Sequence, residues 1–481
     1  MGRTTVIRRA DWALGYDPAT GSHRYLRDAD IAFADDRIVH VGGAYAEPFD
    51  VEIDGSRLFV MPGLVNIHTH SATMPLMKGI REDMSNPRLY MSALYDGWNL
   101  FVAEPEDKIW NSRYAYAELL RSGVTSVVDM CYPYPGWIDA LAESGLRCWL
   151  SPLYESARWG TRNGHSLHYR WSDDGGRDAM RVAFDLMDEA ERHPSGRLSA
   201  MVSPMAVDTC TPELLRESCQ AARGAGRKTQ IHAGEAMIEF LEITRRTGMT
   251  QLEYLESLDV LGPHTIIGHG IFLDHHSWLH WHTRRDIGRL AESGTFLAHC
   301  PQVFARYGIA LENFGAYRAA GVTIGIGTDA HPHNMIEEMR IACIMARTAS
   351  GNTQNMPTSA AVEAATLGGA AAVGRDDLGR LAPGAKADLV LIDLDHPSMM
   401  PAHDPLKCLV FTAAERPIRD VFVDGVRRVA DGEVLTVDRI AAGRRIADMQ
   451  SRVIPRVPER DYAGRTAADV APPAFPTAPP G

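Results

Sequence analysis

Two rhythms of apolar residues divide the chain. From residue 61 to 375, short and almost continuously apolar runs alternate with stretches of helical period. The runs are LVNIHTH (64–70), VTSVVDM (124–130), RCWLSPLY (147–154), LSAMVSPMAV (198–207), KTQIHAGE (228–235), HTIIGHG (264–270), GTFLAHC (294–300) and VTIGIGTD (322–329). Between them lie stretches such as EDKIWNSRYAYAELLRSG and TPELLRESCQAARGAG, with apolar residues at helical spacing. Eight strand–helix units, with strands apolar on both faces, predict the α/β class and a parallel (β/α)8 barrel. The chain ends follow a different rhythm. Residues 1–60 and 376–440 read as short strands punctuated by DD, GG and DG turn pairs, so both ends are expected to combine in one small β domain. Residues 441–481 are expected to hold a helix and then a proline-rich tail. Seven prolines among the last 27 residues argue for an extended or disordered arm.

Composition narrows the class further. An apolar fraction of 45% and a charged fraction of 23% over 481 residues argue against a disordered, collagen-like or coiled-coil protein. The net charge of −12 argues against nucleic acid or an anionic membrane as the main partner. Seven scattered cysteines form no CxxC pair, which points away from a disulfide framework or a cysteine zinc site and toward reduced thiols in the cytoplasm. The first residues contain no apolar leader core, and no run of about 18 apolar residues is present, so neither secretion nor a membrane span is expected.

The chemistry-bearing residues gather at one end of the predicted barrel. His68 and His70 lie two apart on the first strand, so both imidazoles face the same side, as two ligands of one ion would. His232 ends the fifth strand, His269 the sixth, His299 the seventh and Asp329 the eighth. Active sites of such barrels sit at that face. A lone strand histidine is most often a hydrogen-bonded core residue. The recurrence at successive strand ends favours a site instead.

Six segments together carry a family resemblance: MPGLVNIHTH (61–70), IHAGE (231–235), GHG (268–270), LAHCPQ (297–302), GIGTDAHPHN (325–334) and GRLAPGAKADLVLID (379–393). Over about residues 1–440 the chain resembles the amidohydrolase superfamily, in the branch of cytosine, guanine and adenosine-type deaminases and triazine chlorohydrolases. The resemblance implies a TIM-like barrel with a β-sandwich built from both termini. It implies that His68, His70, His232 and Asp329 bind one divalent ion, with zinc the default and iron(II) or manganese also compatible with such ligands. Relatives with two metals bridge them by a lysine ending strand four; LSAMVSPMAV has none, which argues for one. Glu235 would shuttle a proton to the leaving nitrogen, His269 would bond the attacking water or the developing oxyanion, and Asp329 would also accept a proton. The implied reaction is hydrolytic deamination of a small aminated heterocycle by hydroxide made available at the ion.

Substrate contacts are expected in the loop after strand one, from Lys78, Arg81 and Trp98, with Tyr95 beside them, and from His299, His331, His333 and Asn334. Asn334 and Glu338 match positions expected to orient the Asp329 loop. Each of these has a plain packing or loop alternative. The segment after strand four departs from the nucleoside deaminases of the branch: Met205 stands where they carry a histidine and Asp208 where they carry a tyrosine. That puts adenosine-like substrates in doubt while leaving the reaction class intact. The same machinery could instead release an alkylamine, an aniline or a halide, or cut an amide or urea. A non-catalytic assembly protein of the same fold is the remote alternative. The expected partner is a small molecule, with neither nucleic acid nor membrane involved, and the resemblance implies a homo-oligomer, dimer or tetramer.

Overall fold

The computed structural model describes residues 3–84, 86, 88–413 and 417–476. Five strands come from the start of the chain: β1 (Thr4–Asp17), β2 (Ser22–Ala34), β3 (Arg37–Gly42), β4 (Val51–Asp54) and β5 (Leu58–Pro62). The middle supplies β6 (Leu64–Thr69), β7 (Val124–Cys131), β8 (Arg147–Tyr154), β9 (Ala157–Thr161), β10 (Leu167–Trp171), β11 (Leu198–Ala200) and β12 (Ser203–Pro204). It continues with β13 (Thr229–Ala233), β14 (Thr265–His269), β15 (Phe296–His299) and β16 (Ile324–Ile326). The last part adds β17 (Leu389–Asp393), β18 (Ile418–Val423), β19 (Val426–Ala430) and β20 (Glu433–Val434).

Both chain ends share one nine-stranded sheet, in the order β20-β19-β18-β17-β5-β1-β2-β3, with β4 also paired to β1. The junction is antiparallel, Leu389 opposite Pro62 and Asp393 opposite Leu58. Period-two alternation divides these strands between two cores. Leu58, Val60, Leu389 and Leu391 pack with Ile7, Ile31 and Phe33, whereas Phe59, Met61, Val390 and Ile392 face the large central core. That second face is how the end sheet is attached to the rest of the chain.

The middle strands pair in parallel. One sheet runs β11-β8-β7-β6, with β12 also beside β8, and another runs β13-β14-β15-β16. Isolated parallel bridges span both seams: Val202 with Thr229 and Ala206 with His232 on one side, Thr69 with Asp329 on the other. Every residue of β7, β8, β13 and β14 is buried, as strands covered by helices on one side and filled within on the other must be. Strands lie within a few residues of the predicted runs. The fourth splits into two short pieces, and an antiparallel hairpin, β9–β10, that the apolar pattern did not announce follows the third.

The tail corrects an expectation. A helix at Arg439–Val453 packs on the helix Lys108–Arg121, and residues 457–470 are not an extended arm. They form short helices at Val457–Arg460 and Ala467–Val470, the latter closed by a reciprocal capping box between Thr466 and Asp469. Val457 and Val470 are buried against Leu76, Met77, Leu100 and Phe101, in the loop region that follows β6. Proline counting misses this because Pro458 sits in a first helical turn, where its missing N–H is not needed. The final residues, 477–481, lie outside the described residues. Among the described residues, no helix is long and apolar enough to cross a membrane.

Placing a charge at Val457 tests this attachment. An unpaired buried carboxylate costs several kcal/mol, more than so short a segment can retain. Val457→Asp is expected to open new protease cuts within 454–470 and within the 71–103 loop, read by mass spectrometry under native conditions. An unchanged cleavage pattern would contradict the packing.

Candidate active site

His68 and His70 project from the same side of β6, and their orientation is set by what lies beneath. Asn66, two residues earlier, accepts the backbone N–H of His68 at 3.1 Å and of Thr328 at 3.2 Å, and donates to the Thr328 hydroxyl at 2.9 Å. It ties β6 to the segment that delivers Asp329. The backbone of Asp329 completes the tie: its N–H donates to the carbonyl of His68 at 2.8 Å, and its carbonyl accepts from His70 at 3.0 Å. Gly327 has to be glycine here, because a Cβ would stand 2.5 Å from the Cβ of His68.

Hydrogen bonds fix which ring nitrogen carries the proton. Nδ1 of His70 lies 2.6 Å from the carbonyl of Met130, and Nδ1 of His232 lies 2.5 Å from the carbonyl of Met205. A carbonyl only accepts, so each Nδ1 donates and each neutral Nε2 presents a lone pair. Those two Nε2 atoms are 3.3 Å apart. An Asp329 carboxylate oxygen lies 3.3 Å from Nε2 of His70 and 3.9 Å from Nε2 of His68. Neither ring nitrogen of the fully buried His68 has a hydrogen-bond partner among the described residues. Burial depresses the basicity of all three imidazoles, joined by repulsion from neighbouring imidazoles at His68 and His232 and by the Arg81 charge at His70; His232 falls to about 4. A dry cluster of acceptors without donors is unfavourable unless a cation sits among them. The ring nitrogens of His68, His70 and His232 lie within 4.8 Å of one another, so the donor set fits a divalent ion, with Asp329 alongside. His68, His269 and Cys300 form a second close trio, but burial drives the Cys300 thiol far up, which makes it a poor ligand.

His269 and Asp329 both occupy left-handed backbone, at φ 111° and 53°. Strain of this kind in non-glycine residues persists only where the surroundings impose it. Nε2 of His269 stands 4.0 Å from an Asp329 oxygen, and both its ring nitrogens lack partners among the described residues. Glu235 follows Gly234, which turns the chain at φ 70°. The N–H groups of Gly234 and Glu235 both donate to the carboxylate of Glu239, at 2.9 and 3.0 Å. Burial, then the nearby Asp329, Glu239 and Asp208 carboxylates, push the Glu235 carboxyl well above the usual carboxylate range.

A narrow cavity lies above this cluster. His70, His232, Glu235 and Asp329 form its floor, and apolar side chains including Trp98, Met205 and Phe304 form most of its walls, with Arg81 among them. The other expected contacts lie elsewhere. Lys78 turns its ammonium onto the ring of Tyr114 at 3.8 Å and is no part of the wall. His331 bonds Glu82 at 2.8 Å, and His333 is buried without a ring partner among the described residues. His299 packs against Phe314, and the Asn334 amide reaches Glu337 rather than the Asp329 loop. Tyr95 is buried edge-on to Trp159. Glu338 accepts the N–H of Gln302 at 3.1 Å, and Asp208 receives the Trp159 indole and the Tyr169 hydroxyl from the β9–β10 hairpin. Sequence reasoning overlooked Asn66 and Glu239. Asn66 has the same parity as His68 on β6, which is a usable signal; the buried Glu239 gives none before its partners are known.

Comparison with known proteins places the chain. The amidohydrolase family pattern matches residues 59–428. The chain is 32% identical over 452 residues to a 5-methylthioadenosine/S-adenosylhomocysteine deaminase of Halobacterium salinarum, covering 90% of this chain and 96% of that protein. It is 33% identical over 434 residues to an 8-oxoguanine deaminase of Pseudomonas aeruginosa, covering 85% and 91%. Among solved structures, an adenosine deaminase from Xanthomonas campestris with bound zinc superposes with a TM-score of 0.79 at 24% identity, over 93% of this chain and 98% of that one. An atrazine chlorohydrolase from Arthrobacter aurescens complexed with zinc gives 0.76 at 23% identity, over 93% and 100%. These two establish the barrel fold.

Replacing Asn66 by alanine leaves every candidate ligand in place but frees the His68 and Thr328 backbones. Zinc affinity, measured by competition with a chelating dye, is expected to fall about 10- to 100-fold. An affinity equal to that of the parent would show that Asn66 does not organise the site.

Proposed function

The chain belongs to the amidohydrolase family, and from that premise we propose that it hydrolyses a C–N bond in a small aminated heterocycle, releasing ammonia. The observation that carries the reading is the set of inward-facing imidazole lone pairs and Asp329 beside a carboxyl, Glu235, that burial and neighbouring acids push well above the usual carboxylate range. The deaminase names of relatives about one third identical over most of the chain support the same class.

His68, His70, His232 and Asp329 would hold one divalent ion, zinc by preference, with a position left for water or substrate. When bound, that ion polarises water and makes a nucleophile available at neutral pH. The chain's own groups do the rest. Asp329 takes the proton that the nucleophile sheds as it attacks the carbon bearing the amino group. His269, neutral because burial and neighbouring imidazoles lower its basicity, faces the oxygen and stabilises the tetrahedral carbon. Glu235 delivers its proton to the departing nitrogen, which would otherwise be too basic to leave. The apolar walls around Trp98 and Met205 keep bulk water from that proton.

Glu235→Gln separates the leaving groups. Ammonium release from aminated pyrimidines, purines and triazines by the zinc-loaded protein is expected to fall about 10²- to 10⁴-fold in the variant. With mass-spectrometric product analysis, release of an amine, acid or halide from matched analogues, with no ammonium from any amino-heterocycle, would retain the hydrolase and replace the substrate class.

A further inference from the structure

Arg81 has a position that packing does not explain. It is 4% exposed, lines the cavity beside Glu235 and Asp329, and has no carboxylate within ion-pair distance among the described residues. Its Nη1 reaches only the thioether of Met74, at 3.2 Å, and its Nε has no partner among the described residues. The ring of Tyr307 lies 6.0 Å from the guanidinium carbon, at the outer edge of a cation–π contact. Neighbouring carboxyls are occupied in other ways. Glu82, the next residue, bonds His331 at 2.8 Å, and Asp329 is turned to the imidazole cluster, 3.3 Å from Nε2 of His70. A buried guanidinium with no anion in direct contact is expensive, and thioether sulfur is a weak acceptor. Sites that keep such a group usually keep it for a ligand.

We propose that Arg81 is a specificity-determining residue that pairs with a planar oxyanion on the heterocycle, either a carboxylate substituent or an ionised ring imide. The proposal rests on the reading of the site as a heterocycle aminohydrolase and adds the charge of the substrate to it. A guanidinium matches a planar oxyanion through two parallel N–H bonds, which an ammonium cannot reproduce. Aromatic and thioether walls take the faces of a flat ring, and Arg81 takes one edge. Glu235 and the histidine cluster on the cavity floor are left for the reacting carbon and its nitrogen.

The test uses the full-length zinc-loaded chain and three aminopyrimidines: one carrying a carboxylate, its neutral carboxamide, and one whose ring imide ionises near neutral pH. Binding is followed by calorimetry and turnover by ammonium release. The wild type is expected to bind one or both anionic rings at least about 30-fold more tightly than the carboxamide. The carboxylate and imide arms identify which oxyanion is recognised. Arg81→Met is expected to bring the anionic rings down to the level of the carboxamide while leaving carboxamide binding within a few-fold. Arg81→Gln provides the same comparison should the methionine variant fold poorly. Equal wild-type affinity for charged and neutral rings, or no binding of either anion at millimolar concentration, overturns the proposal. So does a preference that survives in both variants, which would place the anion on the metal. Charge-selective binding without ammonium from any ring would sink the deaminase reading and leave the role of Arg81 standing. Ammonium release without charge selectivity would do the reverse.

Discussion

The backbone hydrogen bonds between Asp329 and the His68–His70 segment hold the rest of the site in place. They join the end of the last barrel strand to the first, and they bring the one candidate ligand that is an acid against two that are imidazoles. Asn66 stitches the same seam from beneath, and Gly327 lets the two segments approach as closely as they do. Loosening this seam would disturb both the barrel and the cation site, because the same few atoms belong to both.

The electrostatics follow from that closure. Lone pairs from two strands of different sheets, β6 and β13, face each other across 3.3 Å in a dry environment, an arrangement that only a cation makes favourable. Strain is stored in the same place. His269 and Asp329 both adopt left-handed backbone, and the turn at Gly234 is held by Glu239 through two N–H bonds. Glu239 therefore positions Glu235 without facing the cavity itself. Burial among acids then raises the Glu235 carboxyl well above the usual carboxylate range, toward the state a donor to a leaving nitrogen requires.

Outside the barrel, the chain ends do more than cover surface. The nine-stranded sheet sends alternate residues of β5 and β17 into the central core, so neither end is an appendage. Val457 and Val470 brace the region after β6 that carries Trp98 and Arg81, which links the last described helices to the cavity mouth.

Periodicity and position determined the barrel and its business end. Apolar runs of the right length could only be covered strands, and histidines at their ends had to share a face, because side-chain direction along a strand is fixed by parity. His68, His70, His232, His269 and Asp329 stood out for that reason, whereas Glu235, in the turn beyond its strand, was singled out by the family resemblance. Tertiary structure decided what parity cannot express. The proton on His70 is placed by a carbonyl 60 residues away and that on His232 by one 27 residues away. Lys78 and Arg81 looked equivalent along the chain, yet one turns onto Tyr114 and the other lies against the cavity without an ion pair among the described residues. The partners of such groups come from distant segments, so their state depends on the folded neighbourhood and not on any local pattern of residues.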